Sequence, residues 1–182
     1  EVIHREVFDP SVALKALWKQ LPKAKYALEN ERGEFLSNQT FGDASFGAET
    51  KVVDFEELLS NKAVRVVVFS TDNTAEDFGK AVQGLGLSGV TYSVGWTAWL
   101  DIAADGTTKA SGLERLRAIL KFDSTDSLAV GDGRNDIEML QWAGHGVAMG
   151  QAPDEVKDAA DAVTEGVDED GLAIVLERLL QD

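Results

Sequence analysis

In the C-terminal half of the chain, an apolar run ends abruptly in a loop rich in glycine and carboxylates. Residues 127–150 read SLAVGDGRNDIEMLQWAGHGVAMG. Residues 128–130 have the character of a buried strand, and the glycines after them mark its end. Apolar residues within 137–140 then begin an amphipathic helix. The sequence therefore predicts a strand, a short loop and a helix.

The loop places two carboxylates, Asp132 and Asp136, four residues apart at the carboxyl end of the predicted strand. Ligands of open α/β sheets bind at this end of the strands, and a helix N-terminus there favours anionic groups. Carboxylate oxygens without neighbouring His or Cys ligands suit a hard cation, Mg²⁺ before Zn²⁺. We therefore predict a phosphate site that contains magnesium.

The loop and the residues after it resemble the fourth conserved motif and the C-terminal end of the haloacid dehalogenase-like (HAD) phosphatases. The resemblance is to the Cof-type branch, which acts on sugar phosphates and related small phosphomonoesters. It rests on GDGRNDIEML at 131–140 and AGHGVAMGQAPDEVKDAADAVTEGVDEDGLAIVL at 143–176. Upstream, WLDI at 99–102 and GTTKA at 106–110 are similar to the family's third motif, whose lysine follows the return from a cap domain.

The resemblance implies an α/β fold with two domains. Residues 1–104 would form an α+β cap domain, and residues 105–182 the C-terminal part of a doubly wound, Rossmann-like HAD core. The residue pattern agrees, because helices and strands alternate as a mixed layer in the first part and as strand–helix units in the second. A helix over residues 111–120, with apolar residues on one side, is expected to open the second part.

The resemblance also implies roles for the loop residues and for the upstream lysine. Asp132 would be a direct Mg²⁺ ligand, and Asp136 would support the metal site directly or through water. Lys109 and Asn135 would be catalytic and substrate-binding: Lys109 neutralises the nucleophile carboxylate and a phosphate oxygen, and Asn135 binds phosphate or orients the lysine. Arg134 either reaches a substrate group or lies in solvent. The structural alternatives are a solvated lysine and an Asp132 that caps a helix or closes a turn.

The nucleophile of the family is the first aspartate of a D-x-D-G-T motif on the first strand, and this motif is not found in the sequence. Residues 105–107, DGT, resemble its tail, but Ala103 stands at the nucleophile position. The run VVVFSTDNT at 66–74 offers only a serine there, and its Thr74 with Asp77 instead predicts a helix N-cap. We expect a chain that lacks the N-terminal nucleophile segment and is inactive alone.

Charge and composition exclude several other classes of protein. The chain has 17 basic and 32 acidic residues and a net charge of −15, which disfavours nucleic acid and anionic membranes as partners. It has no cysteine, so disulfides, thiolate nucleophiles and thiolate metal sites are excluded. No apolar run is long enough to cross a bilayer. We expect a cytoplasmic location and a small phosphorylated metabolite as partner, and nothing in the sequence specifies an oligomeric state.

The sequence is compatible with two functions. The first is a Mg²⁺-dependent phosphatase that works through an aspartyl-phosphate, and the alternative is a non-catalytic ligand-binding or regulatory module that keeps the metal and phosphate loop. The aromatic residues of the first part have two interpretations as well. Phe41 and Phe46 either form a substrate lid or pin their own loop, and Trp96 and Trp99 either face a sugar or pack in a core.

Overall fold

The computed structural model describes residues 2–40, 50–95 and 97–181. The contacts divide the chain into two compact units, Glu1–Thr107 and Thr108–Asp182. Phe41, Phe46 and Trp96 lie outside the described residues, so neither interpretation of these aromatic side chains is tested. Within the described ranges, no helix has the length and apolar character needed to cross a membrane.

The first unit is a six-stranded sheet that carries three helices on one face. Its elements are α1 Ser11–Gln20, β1 Lys25–Asn30, β2 Phe35–Ser37, β3 Lys51–Val52, α2 Phe55–Leu59, β4 Ala63–Phe69, α3 Ala75–Gly84, β5 Val90–Val94 and β6 Trp99–Ala104. The strand order is β3-β2-β1-β4-β6-β5, with β2 and β3 parallel and the other pairs antiparallel. This arrangement is the mixed α+β layer that the sequence predicts.

The period of two along β1 separates the two faces of this sheet. Tyr26 and Leu28 are fully buried beneath the helices, whereas Ala27 faces the other side. Trp99 packs on that second face, where its indole N–H donates to Asp101 Oδ2 at 2.9 Å. The side chain of Trp99 therefore takes part in packing and in a hydrogen bond within its own unit.

Short sequence signals in the first unit predict its local structure well. The strands β1 and β2, and likewise β5 and β6, are neighbours in sequence and pair antiparallel. Thr74 caps α3, since its hydroxyl oxygen accepts the Asp77 backbone N–H at 3.1 Å. Ser70, the residue at the false nucleophile position, donates to Asn73 Oδ1 at 2.7 Å in the turn after β4. The parallel pairing of β3 with β2 is not predicted by any local signal.

The second unit contains a three-stranded parallel sheet in the order β7-β8-β9. Its elements are α4 Lys109–Leu120, β7 Leu128–Gly131, α5 Ile137–Trp142, β8 His145–Ala148, α6 Asp154–Lys157, β9 Ala162–Val163 and α7 Gly171–Leu179. Gly131 pairs with Ala148, and Ala148 pairs with Val163. Because the strands are parallel, the loops that follow them emerge at one edge of the sheet. The α/β class predicted from the sequence is confirmed.

Helix α4 begins two residues earlier than predicted and packs differently. No residue of α4 is fully buried, and Leu116, Ile119 and Leu120 are exposed, so the expected apolar side contacts no core among the described residues. Helix α4 is instead joined to α5 through polar groups. Glu114 accepts hydrogen bonds from Arg117 and from the Trp142 indole, and these bonds lower the pKa of Glu114 to about 2.

Candidate active site

The loop after β7 is shaped by the need to bring Asp136 close to the backbone. A β-carbon on Gly131 would lie 2.5 Å from Asp136 Cβ and 2.7 Å from its Cγ, which no side chain tolerates. Gly131 therefore allows the close approach. Residues Arg134–Asp136 form a single 3₁₀ turn, and α5 follows directly. This geometry turns the Asp136 side chain back over the end of the strand.

Asp136 is the buried centre of the loop. Its side chain is only 5% exposed. Its Oδ2 atom accepts the backbone N–H groups of Asp132 at 3.0 Å and Gly133 at 2.9 Å, and its Oδ1 atom pairs with the Lys109 ammonium. Burial raises the pKa of Asp136, but the hydrogen bonds from Lys109, Gly133 and Asp132 and the positive charge of Lys109 outweigh it, so the pKa is lowered. Asp136 is therefore a carboxylate at neutral pH.

Lys109 is the first residue of α4, and its position is set by the N-cap. The Thr108 hydroxyl accepts the Ser111 backbone N–H at 3.2 Å, and the Ser111 hydroxyl accepts the Thr108 N–H at 2.9 Å. This reciprocal capping box fixes the start of the helix. The Lys109 side chain is half exposed and reaches Asp136, which is 27 residues away in sequence. One cationic group is thus held at the edge of the sheet with access to solvent.

The lowered pKa of Asp136 predicts how stability depends on pH. Because its pKa in the folded protein lies below the ordinary value of 3.8, ionised Asp136 stabilises the fold above about pH 4, and this contribution is lost as the pH falls through the folded-state pKa. We expect the difference in free energy of unfolding between the wild type and Asp136→Asn to be constant above about pH 5 and to shrink below about pH 4. Urea denaturation from pH 2.5 to 8 measures it. A difference that is independent of pH would contradict the ion pair.

The other loop residues are more open. Asp132 follows β7 directly and is partly exposed, and its Oδ2 atom accepts a hydrogen bond from Gln151 Nε2 at 3.2 Å. Asn135 is exposed on the 3₁₀ turn. Arg134 is exposed as well and pairs with Glu155, at the start of α6. The structure thus brings Lys109, Asp132 and Asp136 to one loop and turns Arg134 toward a carboxylate of its own unit.

The donor set around Asp132 fits magnesium better than a transition metal. Among residues 2–40, 50–95 and 97–181, no group of three or more His, Cys, Asp or Glu side chains is placed to hold a metal ion. Mg²⁺ does not need such a cage, because it keeps several waters and is bound through one or two carboxylates together with substrate phosphates. Asp132 has a partly exposed carboxylate of this kind. Both oxygens of Asp136 already accept hydrogen bonds, so its support of a metal stays a prediction.

Gln151 also contacts the candidate site, although no sequence motif indicates it. It follows β8 in the segment AMGQA and contacts Asp132 across the edge of the sheet. The signal that could have identified it is topological. Because β7 and β8 are parallel neighbours, the residues just after each strand lie side by side.

Comparison with known proteins identifies the family. A sequence model described as haloacid dehalogenase-like hydrolase matches residues 7–176. The chain belongs to the haloacid dehalogenase-like hydrolase family. This confirms the resemblance drawn from the GDGRNDIEML loop. Among curated relatives, phosphatase YwpJ of Bacillus subtilis is 41% identical over 80 residues, which cover 44% of this chain and 28% of YwpJ.

Solved structures of Cof-type HAD phosphatases share the fold of this chain. The HAD subclass IIB sugar phosphatase BT4131 superposes with a TM-score of 0.75 at 24% identity, over 96% of this chain and 68% of BT4131. The phosphatase BT1666 from Bacteroides thetaiotaomicron superposes with a TM-score of 0.67 at 29% identity, over 98% of this chain and 67% of BT1666. The chain spans about a third of the length of two further curated relatives, from Bacillus subtilis and Haemophilus influenzae, at 31% and 30%.

Proposed function

We propose that this HAD chain is part of a Mg²⁺-dependent phosphatase that hydrolyses a small phosphomonoester, such as a sugar phosphate, in the cytoplasm. The observation that carries the proposal is the arrangement at the end of β7. There Lys109 is paired with the buried Asp136 carboxylate, which also accepts the backbone N–H of Asp132, a second and partly exposed aspartate. Phosphoryl transfer depends mainly on positioning and on stabilising negative charge, and both kinds of group serve that purpose.

Lys109 and the polar residues of the loop each have a role in the proposed reaction. Asp132 holds Mg²⁺, which when bound neutralises charge on the phosphate oxygens. Lys109 places a fixed positive charge beside the phosphate, and Asp136 holds the lysine there and supports the metal site. Asn135 donates a hydrogen bond to phosphate from the exposed 3₁₀ turn. Arg134 binds a more distant group of the substrate, and this requires it to exchange Glu155 for the ligand.

The nucleophile is the part of the reaction that these residues do not supply. The sequence contains no D-x-D-G-T motif, and the two stretches that resemble one carry Ala103 and Ser70 at the nucleophile position. We propose that the aspartate that forms the aspartyl-phosphate comes from outside these 182 residues. The 182-residue chain alone is then expected to hydrolyse no phosphomonoester.

Support for the substrate class comes from the family. BT4131, which shares the fold, is described as a sugar phosphatase, and YwpJ is described as a phosphatase. The net charge of −15 disfavours nucleic acid, which is a large polyanion. Lys109 and a bound cation reverse the negative potential only locally, which suffices for a small phosphorylated metabolite. The first unit is proposed as the cap domain and the second as part of the HAD core.

A second candidate function is a non-catalytic module that keeps the metal and phosphate loop. A protein that keeps the Asp132 and Lys109 groups without a nucleophile would bind Mg²⁺ and phosphate but would not turn over. Such a module would be regulatory or would bind its ligand without reaction. Both candidates predict that this chain binds Mg²⁺ and phosphate. They differ in turnover, which only the phosphatase predicts for the whole protein.

The metal assignment is tested by removing one charge at either end of β7. We expect Asp132→Asn to weaken Mg²⁺ binding at least tenfold, because a neutral amide is a poor ligand for a hard cation. Asp126→Asn removes the same charge at the opposite end of the strand, where Asp126 is exposed, and should leave the affinity unchanged. Isothermal titration calorimetry of the 182-residue chain measures both variants. Equal affinities for the wild type and Asp132→Asn would overturn the assignment.

A further inference from the structure

Gln151 lies in the segment after β8, and its side chain contacts the segments that follow β7 and β9. Its Nε2 atom donates to Asp132 Oδ2 at 3.2 Å, and its Oε1 atom accepts the Val167 backbone N–H at 3.0 Å. Asp132 lies after β7, Gln151 after β8 and Val167 after β9. One side chain thus connects the segments that follow all three strands.

The contact with Val167 determines which end of the amide faces Asp132. A backbone N–H can only donate, so it requires the amide oxygen of Gln151 as its partner. The NH₂ group is then turned toward Asp132, where a carboxylate oxygen accepts it. The orientation of the amide is therefore determined by its hydrogen bonds, which is the criterion for assigning the O and N atoms of a glutamine.

The segment after β8 and the segment after β9 are held together by backbone contacts, without the Gln151 side chain. The Gly150 N–H donates to the Glu165 carbonyl at 3.1 Å. A β-carbon on Gly150 would lie 2.7 Å from the Gly166 nitrogen and 2.9 Å from the Glu165 carbonyl carbon, so the backbones are already in contact. Gln151 and Val167 are both exposed, and water can replace their hydrogen bond. Contact between these two segments therefore does not require a glutamine at position 151.

What the side chain does is restrain one carboxylate. By donating to Oδ2, Gln151 limits the rotation of the Asp132 carboxylate. We propose that Gln151 is a positioning residue that orients Asp132 toward the bound cation; this rests on the proposed function. Hydrogen bonds to metal-ligating groups of this kind typically change metal affinity by roughly 10- to 100-fold.

The length and charge of the side chain both suit this task. Asparagine is shorter by one carbon–carbon bond, roughly 1.5 Å, and could not reach Asp132 and Val167 together from the same backbone. Glutamate has the reach but no donor, and it would place a second negative charge against Asp132. Glutamine is thus the side chain that can accept the Val167 N–H and at the same time donate to the Asp132 carboxylate.

The test compares Gln151→Met with Gln83→Met, which makes the same change at an exposed position on α3. The probe is Mn²⁺, which prefers the same octahedral oxygen ligands as Mg²⁺, and free Mn²⁺ is followed by electron paramagnetic resonance. We expect Gln151→Met and Gln151→Asn to raise the Kd roughly tenfold. The melting temperatures of all three variants should match that of the wild type. In metal-free protein, Asp132→Asn should also shift the Gln151 side-chain amide resonance, which reads the contact directly.

The outcomes separate this inference from the proposed function. If Mn²⁺ binding depends on Asp132 but Gln151→Met binds as the wild type does, the positioning role is wrong and the metal site stands. If Asp132→Asn binds Mn²⁺ as tightly as the wild type, or the wild type binds none, the metal assignment fails and the positioning role fails with it. A Gln151→Met variant with a lowered melting temperature and an unchanged Kd would show a structural role instead and would overturn the inference.

Discussion

Asp136→Asn is expected to lower the free energy of unfolding at pH 7 by about 2 kcal/mol, the range for hydrogen bonds to a buried charged group. The carboxylate accepts two backbone N–H groups and the Lys109 ammonium, while its side chain is 5% exposed. The amide of asparagine has one oxygen for these donors, and its NH₂ group would face another donor. The substitution should therefore both destabilise the loop and release Lys109 from it.

Urea denaturation of Asp136→Asn and of Asp126→Asn measures this effect, because the two variants have the same net charge. Asp126 is exposed, and its replacement should change the free energy of unfolding by less than about 0.5 kcal/mol. Asp132→Asn is a second comparison, because it should lose Mg²⁺ affinity at little cost in stability. If Asp136→Asn were as stable as Asp126→Asn, the view of Asp136 as the organiser of the loop would be wrong.

Gly171→Ala is expected to destabilise the protein by about 3 kcal/mol, at the upper end for overpacking. Gly171 is buried at the first position of α7. A β-carbon there would lie 1.9 Å from the Glu165 carbonyl oxygen and 2.7 Å from its carbon. These are backbone atoms, which cannot swing aside as a flexible side chain does. Helix α7 or the turn before it must move.

Gly112→Ala is the matched control for this substitution. Gly112 lies in α4, and a β-carbon there would meet nothing within 4 Å. Alanine at an exposed position inside a helix restricts the unfolded chain and should raise the free energy of unfolding by about 0.5 kcal/mol. Thermal unfolding followed by circular dichroism compares the two variants. Opposite signs are expected, and equal effects would contradict the tight packing of Gly171 against Glu165.

Much of the second unit could be predicted from residue type alone because its signals are local. The apolar run, the glycines after it and the amphipathic helix follow one another in sequence, and the structure forms β7 and α5 there. Lys109 was identified by resemblance to the family motif. No local rule connects it with Asp136, because the pair closes over 27 residues.

The contacts that were missed depend on tertiary structure. Gln151 reaches Asp132 because β7 and β8 are parallel neighbours, and Arg134 finds Glu155 at 21 residues' separation. The apolar pattern of α4 predicted the helix correctly but not its burial. A period of 3.6 residues shows which side chains share a face, and it does not show what covers that face.

A residue-resolved titration of the 182-residue chain with MgCl₂, and then with inorganic phosphate, tests whether the loop after β7 binds both ligands. In ¹⁵N–¹H correlation spectra, we expect saturable shifts of the amides from Asp132 to Asp136 on adding Mg²⁺. Phosphate should then shift the same amides and the Lys109 resonances, and these shifts should require the cation. Spectra in which Mg²⁺ leaves this loop unchanged, or in which phosphate binds equally well in EDTA, would contradict a magnesium and phosphate site at the end of β7.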